Sequence, residues 1–294
     1  MLILVGDNPF HGVSHLSQER ARVRGDAVTT PEYAADLVMI SLENGADGFM
    51  FSVSETTLSI LRILGEKDVA NGLRLYAITP AAAEIARLMG SEGGMEETAK
   101  RFARQMVTLG NFGAAFKGLK GAILMDPGSL LKSFVSYEIS RIKSSAAKEA
   151  ILDSVMLHEI VTDMGLALNL QWLFNLYIDF MLGLGIKPGF ETRNFAFLVN
   201  RFREWNINLR EIMIAAPFNK VGFQMNPSKV ECEQALASLP EPNVVAISIL
   251  AAGYLDLSEA AKYIKSLSNL KGFAVGVSRE KHARETFEFL KERL

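Results

Sequence analysis

Short apolar runs alternate along the chain with longer stretches in which apolar residues recur at helical spacing. The runs are Leu2 to Val5, Gly48 to Val53, Leu73 to Thr79, Ala122 to Asp126, Pro188 to Thr192, Glu211 to Ala216, Val244 to Ile249 and Phe273 to Val277. Strands separated by helical crossovers are the signature of a parallel sheet, because parallel neighbours need a long connection. Thr30-Pro31-Glu32 places a cap and a first-turn proline ahead of Tyr33 to Asn44, and Gly45 follows as a stop. Ser228, Ser258 and Ser278 stand in the same way before Val230 to Leu239, Glu259 to Leu267 and Arg279 to Leu294.

Eight strand candidates spread from residue 2 to residue 277 predict an α/β fold, a (β/α)8 barrel forming a single domain over residues 1–294. A doubly wound open sheet competes, but no glycine-rich dinucleotide fingerprint follows the first strand. The fourth strand has two registers. Ala122 to Asp126 is bracketed by Gly121 and Pro127-Gly128, whereas Val155 to Glu159 is a rival. Apolar positions 151, 152, 155, 156, 160 and 161 keep helical spacing through the rival, which places His158 on a helix. Leu166 to Leu184, broken by Asn169, Gln171, Asn175 and Asp179, reads as one core helix.

Two connections exceed the usual length: residues 6–29 after the first strand, and about 80–120 between the third and fourth strands. Loops of this size are functional or carry structure of their own. Residues 95–109 have helical character, which leaves 6–29 as the expected active-site lid, with the second stretch an insertion.

Composition narrows the function classes. Of 294 residues, 49% are hydrophobic, and 31 basic residues balance 33 acidic ones to a net charge of −2. Nucleic-acid and polybasic membrane partners are not expected, because counterion release needs clustered Lys and Arg. A small anionic molecule is the expected partner. No run approaches the roughly 20 apolar residues of a membrane span, and Met1 to Val5 reads as a buried strand and not as a signal peptide. The single cysteine, Cys232, excludes an internal disulfide and suits a reducing cytoplasm.

In such a barrel, residues just beyond the strand C-termini line the site. Asp7, Asn8 and His11 follow the first strand, Ser52, Ser54 and Glu55 the second, and Thr79 the third. In Gly276-Val277-Ser278-Arg279 a strand-ending glycine, a helix-cap serine and an arginine favour phosphate; the plainer reading is a capped helix with a surface arginine. Asn219, Lys220, Gln224 and Asn226 gather amides and a lysine in one turn, as a polar substrate requires. Lys220 is an electrophile or Schiff-base amine, or else a solvated loop lysine. Glu191, at the end of the fifth strand, is a general base, metal ligand or hydroxyl anchor, unless it only pairs with Arg193 or Lys187.

His11, His15 and Glu19 would align on one helical face, but Pro9 and Gly12 oppose a helix there, and no Cys/His ligand pattern accompanies them. No metal is therefore assigned. His11 is an acid/base group on the lid, and His282 a surface residue.

The last third of the chain, residues 186–294, resembles the aldo/keto reductase superfamily. The resemblance rests on Pro188-Gly189-Phe190-Glu191-Thr192-Arg193-Asn194, Ala216-Pro217-Phe218-Asn219, Ala246 to Leu255 and Gly276-Val277-Ser278. It implies a barrel, a nicotinamide cofactor with its phosphates at the last two strand–helix turns, and a role in holding them for Ser278 and Arg279. The family's Asp and Tyr after strand two and Lys on strand three have no counterpart in Phe51 to Glu55 or Leu73 to Thr79. Only His158, in the rival register, matches the family's histidine on strand four.

Three functions remain open. One is general acid/base chemistry on a small phosphorylated or carboxylated metabolite, with Glu191, Asp7, His11 and Lys220 catalytic. The second is an NAD(P)-dependent oxidoreductase with a replaced proton donor. The third is a non-catalytic binding barrel.

Overall fold

A computed structural model describes residues 1–11, 30–67, 72–80 and 127–294. Eight parallel strands close into a barrel in sequence order: β1 (Leu2–Gly6), β2 (Gly48–Ser52), β3 (Arg74–Thr79), β4 (Ile151–Leu157), β5 (Lys187–Glu191), β6 (Met213–Pro217), β7 (Val244–Ile247) and β8 (Leu270–Gly276). The described helices are α1 (Pro31–Glu43), α2 (Glu55–Glu66), α3 (Pro127–Ser145), α4 (Glu159–Ala167), α5 (Gln171–Gly183), α6 (Phe195–Glu204), α7 (Lys229–Ala237), α8 (Leu257–Ser266) and α9 (Glu280–Arg293). A 3-10 turn, Asn8–His11, follows β1 directly. No described helix is long and apolar enough to cross a membrane.

The expected cap at Thr30 is present, its hydroxyl accepting a bond from the Tyr33 amide. Ser228 likewise caps α7, its hydroxyl accepting from the Glu231 amide, whereas Asp256 caps α8 in place of Ser258 and Arg279, with no side-chain cap bond, precedes α9 in place of Ser278. The expected helix over Leu166 to Leu184 is two elements. Asn169, at φ 56°, lies between α4 and α5, a left-handed conformation that asparagine tolerates and a helix interior does not.

The fourth strand is the larger correction. It runs over Ile151–Leu157, and Ala122 to Asp126 lies outside the described residues, as do His15, Glu19, residues 12–29 and residues 81–120. The helical spacing of positions 151 to 161 arises from a strand and a helix abutting at His158. Alternation is further hidden by a register shift: Leu75 pairs with Leu152 but Tyr76 with Ser154, so Asp153 is an extra residue. The bulge serves an ion pair, in which Arg74 Nε and a second guanidinium nitrogen donate to the two Asp153 oxygens at 2.6 and 2.9 Å.

Alternation across the strands separates two apolar shells. Leu4, Met50, Tyr76, Ile78, Met156, Met213, Ala215, Val245 and Ala274 fill the barrel interior. Their neighbours, such as Val5, Phe51, Val155, Phe190 and Val275, belong to the layer between strands and helices. On the outside of β5, Phe174 packs against Phe190, Phe202 and Trp205 with ring centroids 5.5, 5.2 and 5.4 Å apart. The Tyr177 hydroxyl donates to the Val155 carbonyl at 2.6 Å, tying α5 to β4.

Closure rests on β1 pairing with β8 from Leu2↔Gly272 to Gly6↔Gly276. Gly272 is required there, since a Cβ would lie 2.2 Å from the Leu2 carbonyl oxygen. Gly272→Ala should therefore cost about 1–3 kcal/mol of stability by overpacking. Gly183→Ala, where a Cβ meets nothing within 4 Å, should be neutral or stabilising by up to about 1 kcal/mol. Urea denaturation of the two variants beside the parent protein checks both.

Candidate active site

Because side chains alternate, the residues that close the interior layer at the C-terminal ends of the strands face the barrel mouth. Gly6, Ser52, Ile78, His158, Glu191, Ile247 and Gly276 accordingly line one cavity of about 850 Å³, a size that suits a small organic ligand. Asp7, Asn8, His11, Ser54, Glu159, Arg193, Ser248, Ser278, His282 and Thr286 complete its polar lining.

Glu191 is 7% exposed and, among the described residues, receives a single long bond, from the Glu159 amide at 3.4 Å. Burial, reinforced by the neighbouring Glu159 charge, pushes its carboxyl up to about 7; the Arg193 guanidinium opposes this only in part. His158 lies one residue past β4, with Nε2 4.0 Å from Glu191 Oε2. Its Nδ1 accepts the Ile160 amide at 3.2 Å, so the neutral ring carries its proton on Nε2, toward Glu191. Burial holds the His158 imidazolium below its usual pKa.

Arg193 is fixed from three sides. Its Nε pairs with Glu159, one terminal nitrogen donates to Gln224 Oε1 at 2.7 Å, and its backbone N–H donates to Asp163 at 3.1 Å. Asp163 also accepts from the Thr192 hydroxyl at 2.5 Å and the Asn194 amide at 2.9 Å, which immobilises the turn leaving β5. Burial nevertheless raises the Asp163 carboxyl above its ordinary range.

At the β1 end, Asp7 is 5% exposed. Its Oδ2 accepts the Ser52 amide at 2.7 Å and lies 3.1 Å from His11 Nε2. Asp7, Asn8, His11, Glu191, Gly276 and Ser278 thus meet in one cavity as expected from position.

The β6 turn does not join them. Asn219 is buried and spends its side chain on Phe223, donating at 2.8 Å and accepting at 2.7 Å, so it staples its own loop. Lys220 is exposed and pairs with Glu259 at 2.7 Å, which leaves no desolvated amine for covalent chemistry. Gln224 is the Arg193 partner, and the exposed Asn226 donates its backbone N–H to the Arg193 carbonyl at 3.2 Å. Arg279 is exposed and outside the lining.

Gly276 reaches the cavity for a reason other than anion approach: a Cβ there would lie 2.6 Å from Pro9, so the glycine admits the first loop. His282, expected at the surface, is exposed yet lines the cavity. His158 and Arg193 were the residues hardest to find. The first was hidden by the helical spacing across it, and the second read as a partner for Glu191 when its carboxylate partner is Glu159.

No family model matches the chain, and no curated protein matches it. Two solved structures, each described as a candidate aldo-keto reductase of Pseudomonas aeruginosa, share the fold. One has a TM-score of 0.58 at 10% identity, with 99% of this chain and 90% of that chain covered. The other has a TM-score of 0.59 at 9% identity, with 99% and 89% covered. The likeness is one of fold, a (β/α)8 barrel, and the alignment extends beyond the last third to 99% of this chain.

The raised Glu191 carboxyl makes stability depend on pH with a definite sign. The protonated form is the one the fold accommodates, so its contribution is complete below the ordinary glutamate pKa of 4.5 and is lost as pH rises through about 7. The full loss is about 3 kcal/mol. Relative to the parent, Glu191→Gln should gain that amount between pH 4.5 and pH 8. Chemical denaturation of both proteins across the range isolates this carboxyl from His158, whose lowered pKa acts with the opposite slope.

Proposed function

We propose that this barrel is a nicotinamide-dependent oxidoreductase that reduces a small carbonyl compound, with Glu191 and His158 as the proton-delivering pair. The observation that carries the reading is the buried Glu191 carboxyl, its pKa pushed up to about 7, facing the His158 Nε2–H 4.0 Å away at the ends of β5 and β4. A histidine at the end of the fourth strand is the family's own position. The resemblance of the whole chain to the two barrels described above supports the same class.

The β8 end fits the phosphates of a dinucleotide. The first turn of α9 has no side-chain cap, so its N–H groups are open to an anion, and Ser278 and His282 line the adjoining wall. When bound, a reduced nicotinamide supplies a hydride to the carbonyl carbon.

The chain's own residues do the rest. A carbonyl oxygen seated between His158 Nε2 and Glu191, which stand 4.0 Å apart, receives a hydrogen bond from the imidazole and a proton from the carboxylic acid. Glu191 leaves the reaction as carboxylate, and its desolvated surroundings favour prompt reprotonation. Arg193, held by Glu159 and Gln224, offsets the negative charge in the mouth. The apolar floor of Ile78, Ile247 and Ala274 excludes water from the reacting atoms. The substrate is a small, polar or anionic metabolite of the cytoplasm in this reading.

Titration with NADPH followed by protein fluorescence should saturate in the parent and in Glu191→Gln alike. Carbonyl reduction by Glu191→Gln should fall by roughly 10²-fold or more, the usual worth of a positioned acid. Parent activity should decline as pH rises through about 7. Absence of saturable NADPH binding to the parent protein would remove the reading.

A further inference from the structure

The mouth contains a second imidazole–carboxylate pair, which carbonyl reduction does not use. Asp7 and His11 belong to the β1 end, and Glu191 and His158 to the β5 and β4 ends. In a closed sheet of eight strands in sequence order, β1 and β5 stand opposite each other. Both pairs line the same cavity.

The two pairs are dressed for opposite tasks. Asp7 Oδ2 is anchored by the Ser52 amide at 2.7 Å and lies 3.1 Å from His11 Nε2. A carboxylate accepts, so the imidazole proton sits on Nε2 and the lone pair on Nδ1. His11 is therefore a base oriented by a buried carboxylate. Among the described residues Glu191 has no comparable donors, and burial favours its protonated form, with Glu159 and the distant Asp7 charge contributing. A buried carboxyl on one wall and a carboxylate-oriented imidazole on the other place an acid and a base around one cavity.

We propose that the barrel also catalyses a cofactor-free enolisation of α-hydroxycarbonyl compounds, with His11 as the base and Glu191 as the acid on opposite sides of the substrate. His11 Nδ1 takes the proton from the carbon bearing the hydroxyl. That C–H electron pair forms the carbon–carbon double bond, and the carbonyl π pair moves to oxygen. The oxygen takes the Glu191 proton while His158 Nε2–H donates a hydrogen bond to it. The product is an enediol. Glu191 carboxylate then accepts the proton of the other hydroxyl as His11 returns its proton to the former carbonyl carbon, giving the isomeric hydroxycarbonyl. Protons and electron pairs balance with no oxidant or reductant. Asn8, Ser52 and Ser54 in the same lining provide the amide and hydroxyl partners that a hydroxylated chain requires.

The test is deuterium incorporation from D2O, followed by proton NMR, with no nicotinamide added. The probes are dihydroxyacetone, ribulose and fructose. The parent protein should exchange the α-proton of at least one probe, and His11→Asn and Glu191→Gln should each lower the rate by roughly 10²-fold. Lys220→Ala, which alters only an exposed pair with Glu259, should match the parent. Circular dichroism and melting show which variants are folded.

Asp7 acts through its neighbours as a positioning residue. Glu191 is faced by His158, Glu159, Arg193 and Asp7, so Asp7→Asn removes one negative charge that holds its proton. The alkaline limb of the pH–rate profile should then move to lower pH. Parent exchange no faster than that of Glu191→Gln on all three probes would overturn the proposal. So would full exchange by folded His11→Asn, or an unmoved alkaline limb in Asp7→Asn. Loss of NADPH binding alone would leave this activity standing, which keeps the two functions separable.

Discussion

The pairing of β1 with β8 is the constraint on which the rest of the molecule depends. Its register, from Leu2↔Gly272 to Gly6↔Gly276, turns an open sheet into a barrel and fixes which alternate side chains face inward on every strand. A slip of one residue would exchange the two faces, sending Leu4 outward and Val5 inward. The same register brings Pro9 against Gly276, so that the first loop is seated over the end of the last strand. Closure therefore does more than stabilise. It brings the Asp7–His11 turn and the start of α9 into one wall of the mouth, although about 270 residues of chain separate them.

A second constraint acts on β4 and β5. Their outer faces are held by the aromatic cluster around Phe174 and Phe190 and by the bond from Tyr177 to the Val155 carbonyl. Phe190 and Glu191 are consecutive and point to opposite faces, so the rigidity of one is imposed on the other. The Asp163 bonds to Thr192, Arg193 and Asn194 lock the turn that follows. Glu191 cannot move to find solvent or a better donor, and this immobility is what makes its burial effective in retaining a proton.

The barrel was legible because seven of its eight strands are apolar runs bounded by turn residues, a pattern that survives without any tertiary information. The fourth was not, because the Asp153 bulge breaks its alternation and α4 begins at once, continuing the apolar spacing. That single ambiguity hid His158. Position at strand ends was enough to place Asp7, His11 and Glu191 in the lining of the mouth. It failed in the β6 turn, where the side chains fold back on the loop: the Asn219 bonds to Phe223 and the Lys220 pair with Glu259 are tertiary facts that residue type does not encode. Gly276 stands out in the sequence as a strand end, but its partner is a proline from the other end of the chain, Pro9.

Asp7 and Glu191 illustrate why position alone does not assign chemistry. They are carboxylates of similar exposure at the ends of opposite strands. One is met by a backbone N–H at 2.7 Å and an imidazole, the other by one amide at 3.4 Å and a second acidic residue. Ser52 and Thr79 stand at the β2 and β3 ends and offer neither a phenol nor an ammonium group, so in the function proposed above the acid comes from elsewhere in the mouth. A buried glutamate beside a histidine supplies a proton near neutrality without a phenol or an ammonium group. With the proposed acid on β5 the β1 side is free for a base, and a scaffold with its acid and base on opposite walls is suited to proton transfer whether or not a hydride is delivered between them.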